Sequence, residues 1–388
     1  MNGAVSTDVA PYRTVHCTPD SDLCDDDQPF VVIITGSNDV VLRYEDPGTT
    51  GSGGVARIPV KGNDSGSIAQ FITVDGLPVL ELSVTRAKLN VVLLRKERVQ
   101  RIVNQGSGKV TISDYVLATS GPILTISSID SGDMFLTAST PITVDELSLS
   151  ARGSGNLQAS FSEFDVKTVS VKVSSSADVT VLAASQGSAV SLALYVQGSG
   201  SLCLSAGSSI ETKDLTIKKI GAGDVSIGPR GSCKTAELTT TGLGTIDAGG
   251  MQCVDVNVDL LGSGNVFVQA TDSLSGDVYG SGKLRYFGNA PHSVDNINYL
   301  GLVTALPASS SYHPSECKVK PFPSSKADTS TSVGKELSYD VDIDKSNIIY
   351  LGVVVFVVAL VLRWFNESRR RAREERQPLV GAERRVYV

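Results

Sequence analysis

The sequence predicts an all-β fold, a parallel β-solenoid (β-helix) of about nine coils with a period of 18 to 24 residues, followed by one C-terminal transmembrane helix. Three observations carry that prediction. A Gly-x-Gly corner followed by alternating apolar residues recurs along the body. The composition is that of short strands and tight turns, with 37 glycines, 41% hydrophobic residues and only 19% charged ones. Finally, Ile348 to Leu362 runs without a charge and is followed by a cluster of arginines.

Residues 1–80 are less regular and read as an N-terminal region that caps the rod, since an uncapped stack of strands would polymerise through its open edge. Val31 to Arg43 contains TGSNDVVLR, a degenerate first coil. The repeats proper occupy 81–291. The signature reads GSGKVTI at Gly106, DSGDMFL at Asp130, GSGNLQA at Gly153, SSADVTV at Ser175 and GSGSLCL at Gly198. It continues as GAGDVSI at Gly221, GLGTIDA at Gly242, GSGNVFV at Gly262 and GSGKLRY at Gly280. Taking the third residue of each, the intervals are 24, 23, 22, 23, 23, 21, 20 and 18. That spacing is too short for helical repeats or propeller blades and suits one coil of a solenoid. Val254 to Leu260 alternates apolar and polar residues, which sends the valines and the leucine inward. Glycine at a repeated corner supplies positive φ and lets backbones stack closely.

Residues 292–346 turn to Ser, Pro, Thr and Lys, the composition of an extended stalk. Residues 347–365 are then the transmembrane helix. Fifteen uncharged residues are too many for most strands, and about eighteen helical residues cover most of a hydrocarbon core. Residues 366–388 form a basic cytoplasmic tail. Eight arginines and four glutamates from Arg363 onward give +4, so the preceding 362 residues carry −11 of the overall −7. The positive-inside rule puts the arginines in the cytosol and the body in the lumen or outside the cell, at the plasma membrane or an endomembrane. The start of the sequence has no basic or apolar leader, so a tail-anchored protein with a cytosolic body is the competing topology.

The repeated GSG units, closing with GDVYGSGKLRYFGNAP at Gly276 to Pro291, resemble the auto-transporter adhesin head GIN domain family over roughly residues 80 to 291. The resemblance implies a β-solenoid with a cell-surface, adhesin-like role. It brings no catalytic residues and no established ligand. The C-terminal anchor and basic tail depart from typical members.

Site chemistry is sparse. The acidic body argues against a nucleic-acid partner. The expected partners are the membrane, through 347–365, and glycans or surface proteins. Asn63 heads an acceptor sequon on the outer side, and Cys17 and Cys24 could close a small disulfide ring. The even total of six cysteines permits three bridges in an oxidising compartment, while Cys203, Cys233 and Cys253, among predicted strands and corners, read most simply as buried free thiols. Asp133, Asp178, Asp224 and Asp277 read as post-corner residues, in places taken elsewhere by Asn156, Ser201, Thr245 and Asn265. Exchange among Asp, Asn, Ser and Thr is what a turn demands, not what a general acid and base demand. His16, His292 and His313 stand apart from one another, so no metal centre, cofactor or catalytic set is expected. Arg86 to Arg101 is a basic stretch that reads as an outward row of strands, with contact to anionic glycans or headgroups as the functional alternative. The function expected is adhesin-like binding or structural display without enzymatic activity. The competing functions are a membrane-tethered carbohydrate-active β-helix enzyme and a tail-anchored cytosolic scaffold.

Overall fold

The computed structural model describes residues 12–16, 28–46, 54–59, 67–74, 77–85, 88–299, 306–307, 312 and 315–323. All lie within the first of two units, Met1–Ser325 and Lys326–Val388. The predicted span 347–365, Cys17, Cys24 and Asn63 lie outside the described residues. Among the described residues no helix is long and apolar enough to cross a membrane.

Among the described residues, twenty-five strands form one continuous hydrogen-bonded sheet that winds as a parallel β-solenoid. The N-terminal strands are β1 (Tyr12–His16), β2 (Phe30–Gly36), β3 (Val40–Tyr44), β4 (Gly54–Pro59), β5 (Ser67–Val74), β6 (Leu77–Val84) and β7 (Leu89–Leu93). Next come β8 (Val99–Asn104), β9 (Val110–Ile112), β10 (Ser120–Ser128), β11 (Met134–Ala138), β12 (Thr143–Gly153), β13 (Leu157–Phe161), β14 (Phe164–Ser175) and β15 (Val179–Ala183). Then follow β16 (Gly187–Gly198), β17 (Leu202–Ala206), β18 (Ile210–Gly221), β19 (Val225–Gly228), β20 (Gly231–Gly242) and β21 (Thr245–Gly262). The chain of strands ends with β22 (Asn265–Tyr279), β23 (Lys283–Tyr286), β24 (Ser293–Tyr299) and β25 (Leu306–Pro307).

Each turn has a longer strand on one face, called face A, and a shorter one on the other, face B. On face A, β8, β10, β12, β14, β16, β18, β20, β21, β22 and β24 stack in parallel. On face B, β9, β11, β13, β15, β17 and β19 stack likewise, continued by the first halves of β21 and β22 and by β23. All nine marker corners fall where a face A strand passes into a face B strand, from Gly106 between β8 and β9 to Gly280 between β22 and β23.

Inward residues form columns along the axis. Leu149, Val171, Leu194, Ile217, Leu238 and Val258, register partners from turn to turn, are 0 or 1% exposed. Burying one such side chain contributes about 1.5–3 kcal/mol, so repetition of small apolar residues builds most of the core, with few aromatics such as Phe30, Phe161 and Phe164. Val254 departs from the alternation. It is 41% exposed at the bend into face A, while Val256, Val258 and Leu260 are buried.

The N-terminal part is threaded differently from the expected simple cap. The coil β2–β3 is a true parallel coil, but it is not the first in space. β2 pairs with both β6 and β8, and β3 with both β7 and β9. The coil formed by β6 and β7 therefore lies outside it. Antiparallel strands then cover the end, with β5 on β6, β4 on β7 and β1 on β4. Antiparallel addition blunts a parallel edge.

Candidate interaction surface

The corners divide two demands between two glycines. Gly198 holds a φ of 120°, which an L residue rarely adopts, whereas Gly200 has an ordinary φ but no room. A Cβ on Gly200 would strike the carbonyl oxygen of Ala177 in the preceding turn. The first glycine therefore turns the chain, and both let the turns stack, since a Cβ on Gly198 would meet the Ser175 carbonyl oxygen. Ser175 occupies the first position of its own turn at a φ of 72°, in the left-handed region open to a few small polar residues.

One residue past three of the nine marker corners, an aspartate side chain serves the next turn. Asp133 Oδ1 accepts from the Asn156 backbone N–H at 2.9 Å, Asp178 Oδ1 from Ser201 N–H at 2.8 Å, and Asp224 Oδ1 from Thr245 N–H at 2.6 Å. This is turn chemistry, as the residue exchange implied. Burial pushes the Asp133 carboxyl up, but the Asn156 hydrogen bonds and the Lys320 charge outweigh it and hold the group below its usual range. Asp277 does not belong to this ladder. It sits on β22, opposite Asp259 of β21 on face A, because GDVYGSG places it ahead of its corner.

On face B one outward column runs Phe135, Gln158, Thr180, Cys203, Ser226, Asp247 and Phe267, beside a second of Thr137, Ser160, Leu182 and Ser205. The chain's own residues 312 and 315–323 lie across the first. The Gln158 amide donates to Lys320 O at 3.0 Å and its oxygen accepts from Lys320 N–H at 2.9 Å. Ser315 Oγ donates to Asp247 Oδ2 at 2.5 Å, and the Tyr312 hydroxyl donates to Asp247 Oδ1 at 3.0 Å. Burial and then the Asp247 charge push the Tyr312 hydroxyl's pKa well up. Phe322 meets Phe135 edge to face at 6.3 Å. Cys203 and Cys317 form a disulfide with a Cα–Cα distance of 5.5 Å.

Two readings are corrected here. Part of the segment taken as stalk is a strap bound to the body, because its alternating groups match the column rung by rung. Nor are the central cysteines free thiols. Cys203 pairs with Cys317, and Cys233 pairs with Cys253, its register partner on the next turn, at a Cα–Cα distance of 4.4 Å. Sequence reasoning missed Tyr312, Ser315 and Cys317. The available signal was Cys317 itself, a lone cysteine in a Ser/Pro-rich run.

Face A carries no such cover among the described residues. Two of its outward columns are polar but for Ala193: Thr168, Ser191, Asp214, Thr235, Asp255 and Ser273 in one, Ser170, Ala193, Thr216, Glu237, Asn257 and Ser275 in the next. Thr235 Oγ1 donates to Asp214 Oδ1 and Ser273 Oγ to Asp255 Oδ1, each at 2.7 Å. Between the two columns lies a shallow hollow of about 400 Å³, lined by Asp214, Thr216, Glu237, Asp255, Asn257 and Ser275 among others. The basic stretch before the repeats does not form one outward row. Arg95 is buried, and the Lys96 ammonium lies 4.6 Å from the centre of the Tyr115 ring. His292 is exposed and pairs with Asp272 at 2.9 Å. No group of three or more His, Cys, Asp or Glu among the described residues is placed to hold a metal.

Residues 185–290 match the family model described as "Putative auto-transporter adhesin, head GIN domain". The match covers the C-terminal half of the predicted repeats, from the start of β16 to beyond β23. No curated protein matches the chain. Similar solved structures include a putative adhesin from Parabacteroides merdae, 16% identical, covering 77% of this chain and 95% of that one with a TM-score of 0.37. A putative adhesin from Parabacteroides distasonis is 15% identical, covering 76% and 95%, with a TM-score of 0.38. A structure described as a putative lipid binding protein from the same species is 15% identical, covering 77% and 95%, with a TM-score of 0.33.

Proposed function

We propose that this protein is a membrane-anchored, surface-displayed binding module of adhesin type, and that face A is its contact surface. The carrying observation is the contrast between the two faces. The column of face B from Phe135 to Phe267 is occupied by the protein's own strap, while face A presents hydroxyls, amides and carboxylates in straight rows one turn apart. Rows spaced at about 4.8 Å suit repeated polar groups such as those of a glycan chain. The family match over 185–290 supports an adhesin-like role. Two disulfides support an oxidising compartment and hence a body outside the cytosol. The run from Ile348 to Leu362 supplies the anchor, and the arginines after it set the orientation.

A glycan array probed with the purified full chain tests this, beside a variant carrying Thr216→Arg and Asn257→Arg on face A. Binding that the double variant loses at least tenfold is the expected result. Equal binding by both proteins would move the contact off face A, and no binding to any glycan would remove glycans as the ligand class.

A further inference from the structure

We infer that the Cys203–Cys317 disulfide is a redox latch on the strap, and that reducing it uncovers the column of face B from Phe135 to Phe267. The strap carries no strand pairing to the sheet in the segment 315–323. Most of it faces solvent: Ser315, Glu316, Lys318, Val319, Lys320 and Pro321 are exposed. Its hold on the column comes from the Gln158, Thr180, Ser226 and Asp247 hydrogen bonds, the Phe135–Phe322 contact and one covalent link. That link sits mid-strap, so it fixes everything to either side of it. Between the strap and the turn ladder runs a groove of about 540 Å³, with Asp178, Ser201 and Asp224 on one wall and Glu316 and Lys318 on the other. Reagents thus have an approach along the side of the latch.

The second disulfide is differently placed. Cys233 and Cys253 are 5 and 2% exposed inside the core, whereas Cys203 and Cys317 are half-buried. Thiol–disulfide exchange needs in-line access to a sulfur, so a dithiol reductant reaches the latch first. Its thiolate attacks one sulfur and displaces the other cysteine as a thiolate. Its second thiol then resolves the mixed disulfide. The reductant leaves as a disulfide, and two electrons and two protons remain on the chain as two cysteine thiols.

The test uses the full chain in detergent. It is treated briefly with a dithiol, alkylated, freed of reductant and digested with trypsin, with cleavage followed by mass spectrometry. Cleavage after Lys318, on the strap, is expected to accelerate at least tenfold, while cleavage after Lys172, on face A, keeps its rate. Alkylation is expected at Cys203 and Cys317 with Cys233 and Cys253 still bonded. The Cys317→Ser variant should reproduce the fast cleavage without reductant. Should that variant fail to fold, reduction of the folded wild type decides alone. An unchanged rate after Lys318 overturns the latch. Parallel acceleration at Lys172, or alkylation of Cys233 as early as Cys203, overturns it too, since the bond would then hold the solenoid rather than the strap.

Discussion

Replacing Gly198 by serine tests the division of labour at the corners most directly. Gly198 holds a φ of 120°, and its carbonyl oxygen accepts from Ala222 N–H at 2.9 Å and Gly223 N–H at 3.2 Å. A side chain forced into that backbone region costs roughly 1–3 kcal/mol. A Cβ there also meets the Ser175 carbonyl, so the corner must shift. Losing one or both hydrogen bonds to the next turn adds about 1 kcal/mol each. The expected destabilisation is therefore about 2–5 kcal/mol, a large share of a domain's stability. The control is the reverse change in the same column, Ser175→Gly. Relief of left-handed strain, about 1–2 kcal/mol, is there offset by about 0.5–1 kcal/mol of backbone entropy, leaving a change near zero or slightly favourable. Urea unfolding followed by circular dichroism, with amide exchange at Ala222 and Gly223 as the local probe, reads both variants. The reasoning is refuted if Gly198→Ser moves stability by less than about 0.5 kcal/mol, or if Ser175→Gly costs as much as Gly198→Ser.

Three further outcomes are expected. Lys219 is fully buried in a core column, where its Nζ donates to the carbonyl oxygens of Leu243 and Gly221. Burial lowers its pKa below the ordinary 10.5, partly opposed by the Asp224 charge. The unfolded chain then binds more protons than the native one in the window between the lowered value and 10.5, so Lys219 makes stability rise with pH there. Lys219→Met should flatten that rise in unfolding curves taken across the window; a slope identical to wild type would show that another group causes it. Leu204→Ala, at a side chain with no exposure, should lose about 2–5 kcal/mol, and a loss under about 1 kcal/mol in the same urea assay would mean the core collapses around the gap. An epitope inserted after Lys326 should be protease-protected in sealed microsomes, with Asn63 sensitive to glycosidase. An accessible epitope with a protected tail would instead favour the cytosolic scaffold.

Much of the architecture is legible because it is periodic. Each corner repeats the same steric problem, so Gly198 and Gly200 recur as a pair and the alternation between them repeats with a period of two. The turn ladder is readable for the same reason, since Asp133, Asp178 and Asp224 recur at equivalent places. What periodicity does not encode stayed hidden. The Cys203–Cys317 pairing joins residues 114 apart in sequence, and nothing local to either one names the other. Cys233 and Cys253 looked like ordinary inward residues because a disulfide between adjacent turns fills the same space as two small apolar side chains. The strap was misread because Ser, Pro and Lys compose an extended chain whether or not it is bound to something. Asp277 was misplaced by a count along the sequence that ignored where the strand ends.

The threading of the N-terminal coil constrains the order in which the rod can be made. Both edges of the β2–β3 coil are filled by strands synthesised after it, one set before residue 94 and the other by residue 112. During synthesis this coil emerges first and has no neighbour on either side. It can dock only once about a quarter of the chain has left the ribosome, and the connection from β7 to β8 must then pass over it to reach its inner side. Regular turns further along need only the turn before them and can add one after another. The ribosome-proximal repeats are thus simple to extend, and the slow, long-range step of assembly lies at the beginning of the chain.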